Sequence, residues 1–257
     1  MITPEETQNP KPSQPDFYVG YLPVPSTHKK FLVVFLTLLG LGLIATSVLI
    51  ASSQRSPGLT IIAPTQMQTW TGTVQYEPYP LLLSDSGEIH LLIGLGKYGE
   101  HTRLQEYDNQ RVQIDGWILA RNDRKAIQLA PESDAIRPQD GPTSTLPQPT
   151  SANTRVEYVG EIVDGKCFLG AMKPGDGKAH KSCATLCIQG GLPPMFHAVD
   201  HHSGHQMPLI RINGSTELGP ESLQFIGEPI KLIGTKTTIG SLTIIDVRST
   251  DIERWGG

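Results

Sequence analysis

Cysteine is scarce in this chain: 3 of its 257 residues. None falls in a Cys-x-x-Cys pair, which weakens a thioredoxin-like reading, and no Cys-x-x-Cys-His is present for covalent haem attachment. There is no Gly-x-Ser-x-Gly elbow and no His-Glu-x-x-His helix, so the sequence shows neither a nucleophile-elbow hydrolase nor a zincin protease. Gly94-Leu95-Gly96 is a lone glycine pair without the surroundings of a phosphate loop. The carboxylates flanking Tyr107, Glu106 and Asp108, read as solvated turn residues. Basic residues do not cluster outside the N-terminal region and the net charge is -4, so no nucleic-acid partner is expected. No catalytic residue emerges, and the chain leans away from being an enzyme.

One long apolar run is present. Phe31 to Ala51 is uncharged, with two Thr and one Ser as its only polar residues. A bilayer-crossing helix needs about 20 apolar residues, which this run supplies. A secretory apolar core is usually about 7–15 residues long and comes after a short charged start. Here thirty residues precede the run, so an uncleaved anchor is expected over a cleaved signal. Lys11, Lys29 and Lys30 lie before it and Arg55 lies close behind. Basic flanks stay cytoplasmic, so residues 1–30 are expected inside and the rest outside. In a Gram-negative cell that means the inner membrane and the periplasm, where disulfides are permitted.

Residues 1–30 are Pro-rich and read as a disordered tail. Within it Phe17, Tyr18 and Tyr21 are candidates for docking on a partner subunit or at the lipid surface. A second polar stretch, 131–154, reads as a linker. It separates module A, 66–130, from module B, 155–254.

The two modules look like copies. Val112, Ile114, Gly116 and Ile127 align without a gap on Ile230, Leu232, Gly234 and Ile245. The spacing between start and turn glycines implies about 29 extra residues in module B, on this repeat reading. Alternating runs at Thr69–Val74, His90–Ile93, Arg111–Ile118 and Lys125–Leu129 predict short strands. A short helical stretch precedes the last hairpin in each copy, Glu100–Tyr107 and Gly219–Phe225. The expected fold class is mainly β: one transmembrane helix, then two tandem OB-like barrels, the second with a helical insert. A small Greek-key or SH3-like barrel is the alternative.

Soft and imidazole side chains are unevenly spread. Of 16 Cys, His and Met residues, 11 lie in the 41 residues from Cys167 to Met207. HKSCATLCIQGG, His180 to Gly191, is expected to be helical from Lys178 to Ile188 and closed by its glycines. His180, Cys183 and Cys187 then share one face, and Cys167 can fold back toward them from the preceding strand. One imidazole and three thiols suit zinc, or Cu(I) with fewer ligands. Met172 and Met195 can widen a Cu(I) site. His197, His201, His202, His205 and Met207 form a second, more exposed group. Three readings stay open for the cysteines: metal ligation, a disulfide joining Cys167 to one helix cysteine with one thiol left free, and thiol chemistry or simple burial.

Gly160 to Phe196, GEIVDGKCFLGAMKPGDGKAHKSCATLCIQGGLPPMF, resembles a family of small exported bacterial proteins of unclear function. That family's pattern is a strand ending in Cys, a Lys/His-x-x-Cys-x-x-x-Cys helix, then Gly-x-Pro and a barrel hairpin. The resemblance implies an OB-like barrel and carries over Cys167, His180, Cys183 and Cys187. It covers module B and neither the anchor nor module A. Haem chaperones of cytochrome maturation are similar in being anchored OB barrels. Cys-x-x-x-Cys occurs in copper-carrying domains of respiratory oxidases, whose fold differs, so only the ligand logic transfers. The functional expectation is an anchored copper- or zinc-binding accessory or assembly factor for a membrane redox complex. The alternative is a non-enzymatic docking subunit whose cysteines staple the insert.

Overall fold

Alternation decides the strands. From Arg111 onward Val112, Ile114 and Gly116 turn inward while Arg111, Gln113 and Asp115 face out, the period-2 pattern of a half-buried strand. The computed structural model describes residues 24–53, 60–61, 66–121, 124–198 and 207–256. It falls into two units, Met1–Pro57 and Gly58–Gly257. Phe17, Tyr18, Tyr21, His201, His202 and His205 lie outside the described residues.

In the first unit α1 runs from Ser26 to Ser53. At 1.5 Å per residue its 28 residues span about 42 Å, more than the roughly 30 Å of a hydrocarbon core. Its hydroxyls are satisfied within the helix: Thr37 Oγ1 donates to the Val33 carbonyl and Ser47 Oγ to the Leu43 carbonyl, both at 2.7 Å. A polar side chain is tolerated in an apolar medium on those terms.

The second unit holds the strands. A short β1, Thr60–Ile61, precedes β2 (Gln68–Gln75), β3 (Leu81–Ser84), β4 (Ile89–Ile93), α2 (His101–Leu104), β5 (Arg111–Arg121) and β6 (Arg124–Leu129). The order β2-β3-β4-β6-β5 closes on itself through β5–β2 pairing, with β4 parallel to β6. After β7 (Ile136–Pro138), the second barrel uses β8 (Ser151–Asp164), α3 (Gly177–Gln189), β9 (Pro194–Ala198), β10 (Leu209–Ile212), α4 (Pro220–Leu223), β11 (Ile230–Ile239) and β12 (Leu242–Arg254). Its cycle is β8-β9-β10-β12-β11, with β10 parallel to β12. Both are five-stranded closed barrels of OB type, each with a short helix before its fourth strand. Val112, Ile114 and Ile127 sit in the core of the first barrel. Ile230, Leu232 and Ile245 sit in the core of the second.

Two boundaries differ from those expected of the sequence. The stretch read as a linker contains β7, paired to β5, and the start of β8. Strand pairing, which composition does not report, claims both ends. The connection between the first two strands is five residues in the first barrel, 76–80, and 29 in the second, 165–193. The difference is 24 rather than the 29 expected from glycine spacing, because that spacing also counts strand residues and the turn that follows the second strand of each barrel.

The barrels share a third apolar cluster. Tyr79, Leu91, Ile93, Leu119 and Ala126 from the first pack with Val163, Cys167, Phe168, Leu169, Cys187, Leu192, Met195, Met207 and Leu209 from the second. Polar contacts lock the same seam. Tyr79 Oη donates to the Gly191 carbonyl at 2.9 Å, and the Gly99 amide donates to the Gly190 carbonyl at 2.8 Å. Arg121 places its guanidinium 3.9 Å from the Phe168 ring centre and donates to the Phe168 carbonyl at 3.0 Å.

Candidate metal centre at the barrel seam

The thiols are carried by the turn and the helix between β8 and β9. Strand β8 ends at Asp164, which is fully buried, and the chain bends through a π-helical turn, Cys167–Ala171. Asp164 Oδ1 accepts the Cys167 amide at 2.7 Å and fixes where the turn begins. Asp176 then starts α3, and Gly190 and Gly191 end it. On this helix His180 and Cys187 are buried and Cys183 is half-buried.

The three cysteines are free thiols, with no disulfide staple between them. Donor atoms of Cys167, His180 and Cys183 lie within 4.8 Å of one another, and so do those of Asp164, Cys167 and Cys187. Of the four side chains expected to form one set, Cys167, His180 and Cys183 fall in the first triad, and Cys187 joins Cys167 and Asp164 in the second. Ideal zinc–thiolate geometry sets sulfurs about 3.8 Å apart, so closing either triad on an ion requires at most about 1 Å of contraction. His180 Nε2 sits 3.2 Å from Asp164 Oδ2. A carboxylate only accepts, so Nε2 is the donor in this contact and Nδ1 is the nitrogen left to face another partner. A carboxylate behind an imidazole is how proteins orient a histidine ligand.

Two lysines complete the site, and neither was expected from the sequence. Lys97, from the first barrel, donates to Cys183 Sγ at 2.8 Å and reaches Cys187 Sγ at 3.8 Å. Lys166 is buried and donates to the carbonyls of Gly94 and Gly96 at 2.7 and 2.9 Å. Gly94-Leu95-Gly96, unassigned as a phosphate loop, therefore has a structural role: its carbonyls hold one lysine and its next residue is the other. Close approach depends on glycine. A Cβ at Gly190 would strike the Lys97 carbonyl, and one at Gly99 the Gly191 carbonyl. Only proximity in the fold joins residues 97 and 183. The one local signal was Asp164, three residues before Cys167.

These contacts polarise the thiols. Cys167 is pushed well up because it keeps its proton to donate to Cys187, with burial and Asp164 adding to the rise. Cys187 is drawn down to about 7, first by the hydrogen bond from Cys167 and also by the Lys97 charge. Bonding to Cys183 raises Lys97, whereas burial lowers Lys166. The pair is a proton-donating thiol facing a second thiol that ionises more readily, with the Lys97 cation at its rim. Such a thiolate ligates a metal or attacks an electrophile.

The secondary residues scatter. Met172 is half exposed, while Met195 and Met207 are buried in the cluster that holds Cys167 and Cys187. His197 belongs to β9 rather than to an exposed turn. Its Nδ1 lies 3.6 Å from Glu161 Oε1, and its donor atom groups with those of Glu161 and Asp176. Pairing of its strand with β8 sets it beside Glu161. Comparison with family models, curated proteins and solved structures finds no match to this chain.

Proposed function

We propose that this chain is a membrane-anchored, extracytoplasmic protein that binds copper or zinc and serves as an accessory or assembly factor for a membrane redox complex. The observation that carries the reading is the meeting of two thiol triads at Cys167, in a seam made by both barrels. Three thiols and an imidazole form a soft donor set. Lys97 and Lys166 offset the negative charge that deprotonated thiols and Asp164 bring together. Lys29 and Lys30 before the apolar run support a cytoplasmic tail and barrels outside the cytoplasm. The tail residues Phe17, Tyr18 and Tyr21 are the proposed contact to the partner complex. The resemblance of Gly160–Phe196 to small exported bacterial proteins agrees with an external site.

A second reading, thiol–disulfide exchange, rests on Cys187 lying near 7 beside the Cys167 thiol. Elemental analysis and a thiol count on the full chain, purified in detergent from the membrane, separate the two. Metal that is absent from a Cys167→Ser, Cys187→Ser variant, with thiols that react only after chelation, supports the metal site. No metal, with a Cys167–Cys187 disulfide that forms and reduces reversibly, replaces it with the exchange reading.

A further inference from the structure

His90 is 2 % exposed, yet neither of its ring nitrogens has a hydrogen-bond partner in the structure. An unpaired buried polar group is destabilising, so a histidine kept that way calls for a ligand. The nearest carboxylate oxygen, Glu88 Oε2, is 3.5 Å from Nε2, beyond hydrogen-bond range. Glu88 is already engaged with Lys125 at 2.6 Å. Burial holds the imidazole below its ordinary value, which keeps it neutral.

His90 lines a chamber of about 140 Å³ at the barrel seam, large enough for an ion or a few waters, with Glu88, Arg124 and Lys125 also on its wall. Two buried residues with thioether donors line the same chamber, Met195 and Met207. His90 comes from β4 of the first barrel, Met195 from β9 of the second, and Met207 lies two residues before β10. A neutral imidazole with two thioethers is a poor site for zinc, magnesium or calcium and a good one for Cu(I), which takes soft ligands at low coordination number. Methionine packs well in any core, so the thioethers alone would say little. A buried imidazole with neither nitrogen hydrogen-bonded, on the wall of the same space, is what separates this chamber from ordinary packing.

We propose that His90, Met195 and Met207 form a second metal position, a three-coordinate Cu(I) site closed only when the two barrels are docked. It is distinct from the thiol site but adjoins it. Gly165, two residues before Cys167, has no Cβ, and one placed there would lie 2.8 Å from Met195 Sδ. Met195 thus packs between the chamber and the turn that carries Cys167. The inference shares with the functional reading only the choice of a soft metal, since the donors are different side chains.

The test is Cu(I) titration of the reduced, detergent-solubilised full chain against a chromophoric Cu(I) chelator, with X-ray absorption at the copper edge. Wild type should take about two Cu(I), one in a sulfur-and-nitrogen shell with the longer distances of thioethers. Met207→Leu and Met195→Leu conserve volume, a change that cores usually tolerate. Each should remove about one Cu(I) and the thioether signal while leaving the thiol-bound copper. Cys167→Ser with Cys187→Ser should do the converse. Unchanged copper binding in both Met variants and in His90→Phe would overturn the proposal and make the chamber a hydrated packing defect. Loss of copper only in the Cys variant would also overturn it, while leaving the thiol site intact.

Discussion

Replacing Lys97 by methionine tests the electrostatics of the seam most directly. Its Nζ stands 3.8 Å from Cys187 Sγ and 2.8 Å from Cys183 Sγ. Lys97 is exposed, so the interaction with a Cys187 thiolate is screened by water and amounts to about 1 kcal/mol at that distance. At 1.36 kcal/mol per pKa unit this is about 0.8 unit. A cation favours the thiolate, so its removal raises Cys187 from about 7 to about 8. The thiolate share at pH 7 then falls from about a half to about a seventh. The assay is the ultraviolet thiolate absorbance of reduced, metal-free protein, recorded across pH, with alkylation of Cys187 read by peptide mass. Lys97→Arg should keep the wild-type midpoint. Salt near 1 M, where the screening length is about 3 Å, should raise the wild-type midpoint and leave the Met variant almost unmoved. A midpoint that stays put or falls on Lys97→Met would refute the account.

Gly190→Ala should act in the same direction without touching a charge, because its Cβ drives the Lys97 backbone off the helix end; a Cys187 midpoint like that of wild type would show that the loop has another anchor. His180→Leu leaves Asp164 Oδ2 buried without its imidazole partner, and should cost about 2–3 kcal/mol in urea unfolding, or about 4–12 °C in melting temperature for a unit of this size. A loss under about 1 kcal/mol would mean that Asp164 is satisfied some other way. Burial lowers both His90 and His101 below 6.5. The unfolded chain therefore binds more protons below pH 6.5, and stability must fall as the pH drops through that window toward the folded values. His90→Phe should remove part of this acid loss; an unchanged slope of stability against pH between 7 and 5 would contradict it.

The long apolar helix, the strands and the cysteine helix were legible in the residues because each is a local pattern. An uncharged apolar run of this length satisfies its backbone within itself as a helix. Alternation at Arg111–Ile118 commits one side of a strand to a core. His180, Cys183 and Cys187 share a face by helical spacing, whatever lies opposite. The chain by itself also concentrated the soft ligands between Cys167 and Met207. Tertiary structure alone decided what they face. Docking of the barrels brought Lys97 to the thiols, placed Lys166 on the carbonyls of a glycine pair, and left His90 facing Met195 and Met207 across one chamber. It also brought Asp164 to the expected ligands, in a triad with Cys167 and Cys187. Such contacts join residues some 70 to 117 positions apart. Sequence periodicity describes the surface a segment presents, and only packing determines which surface it meets.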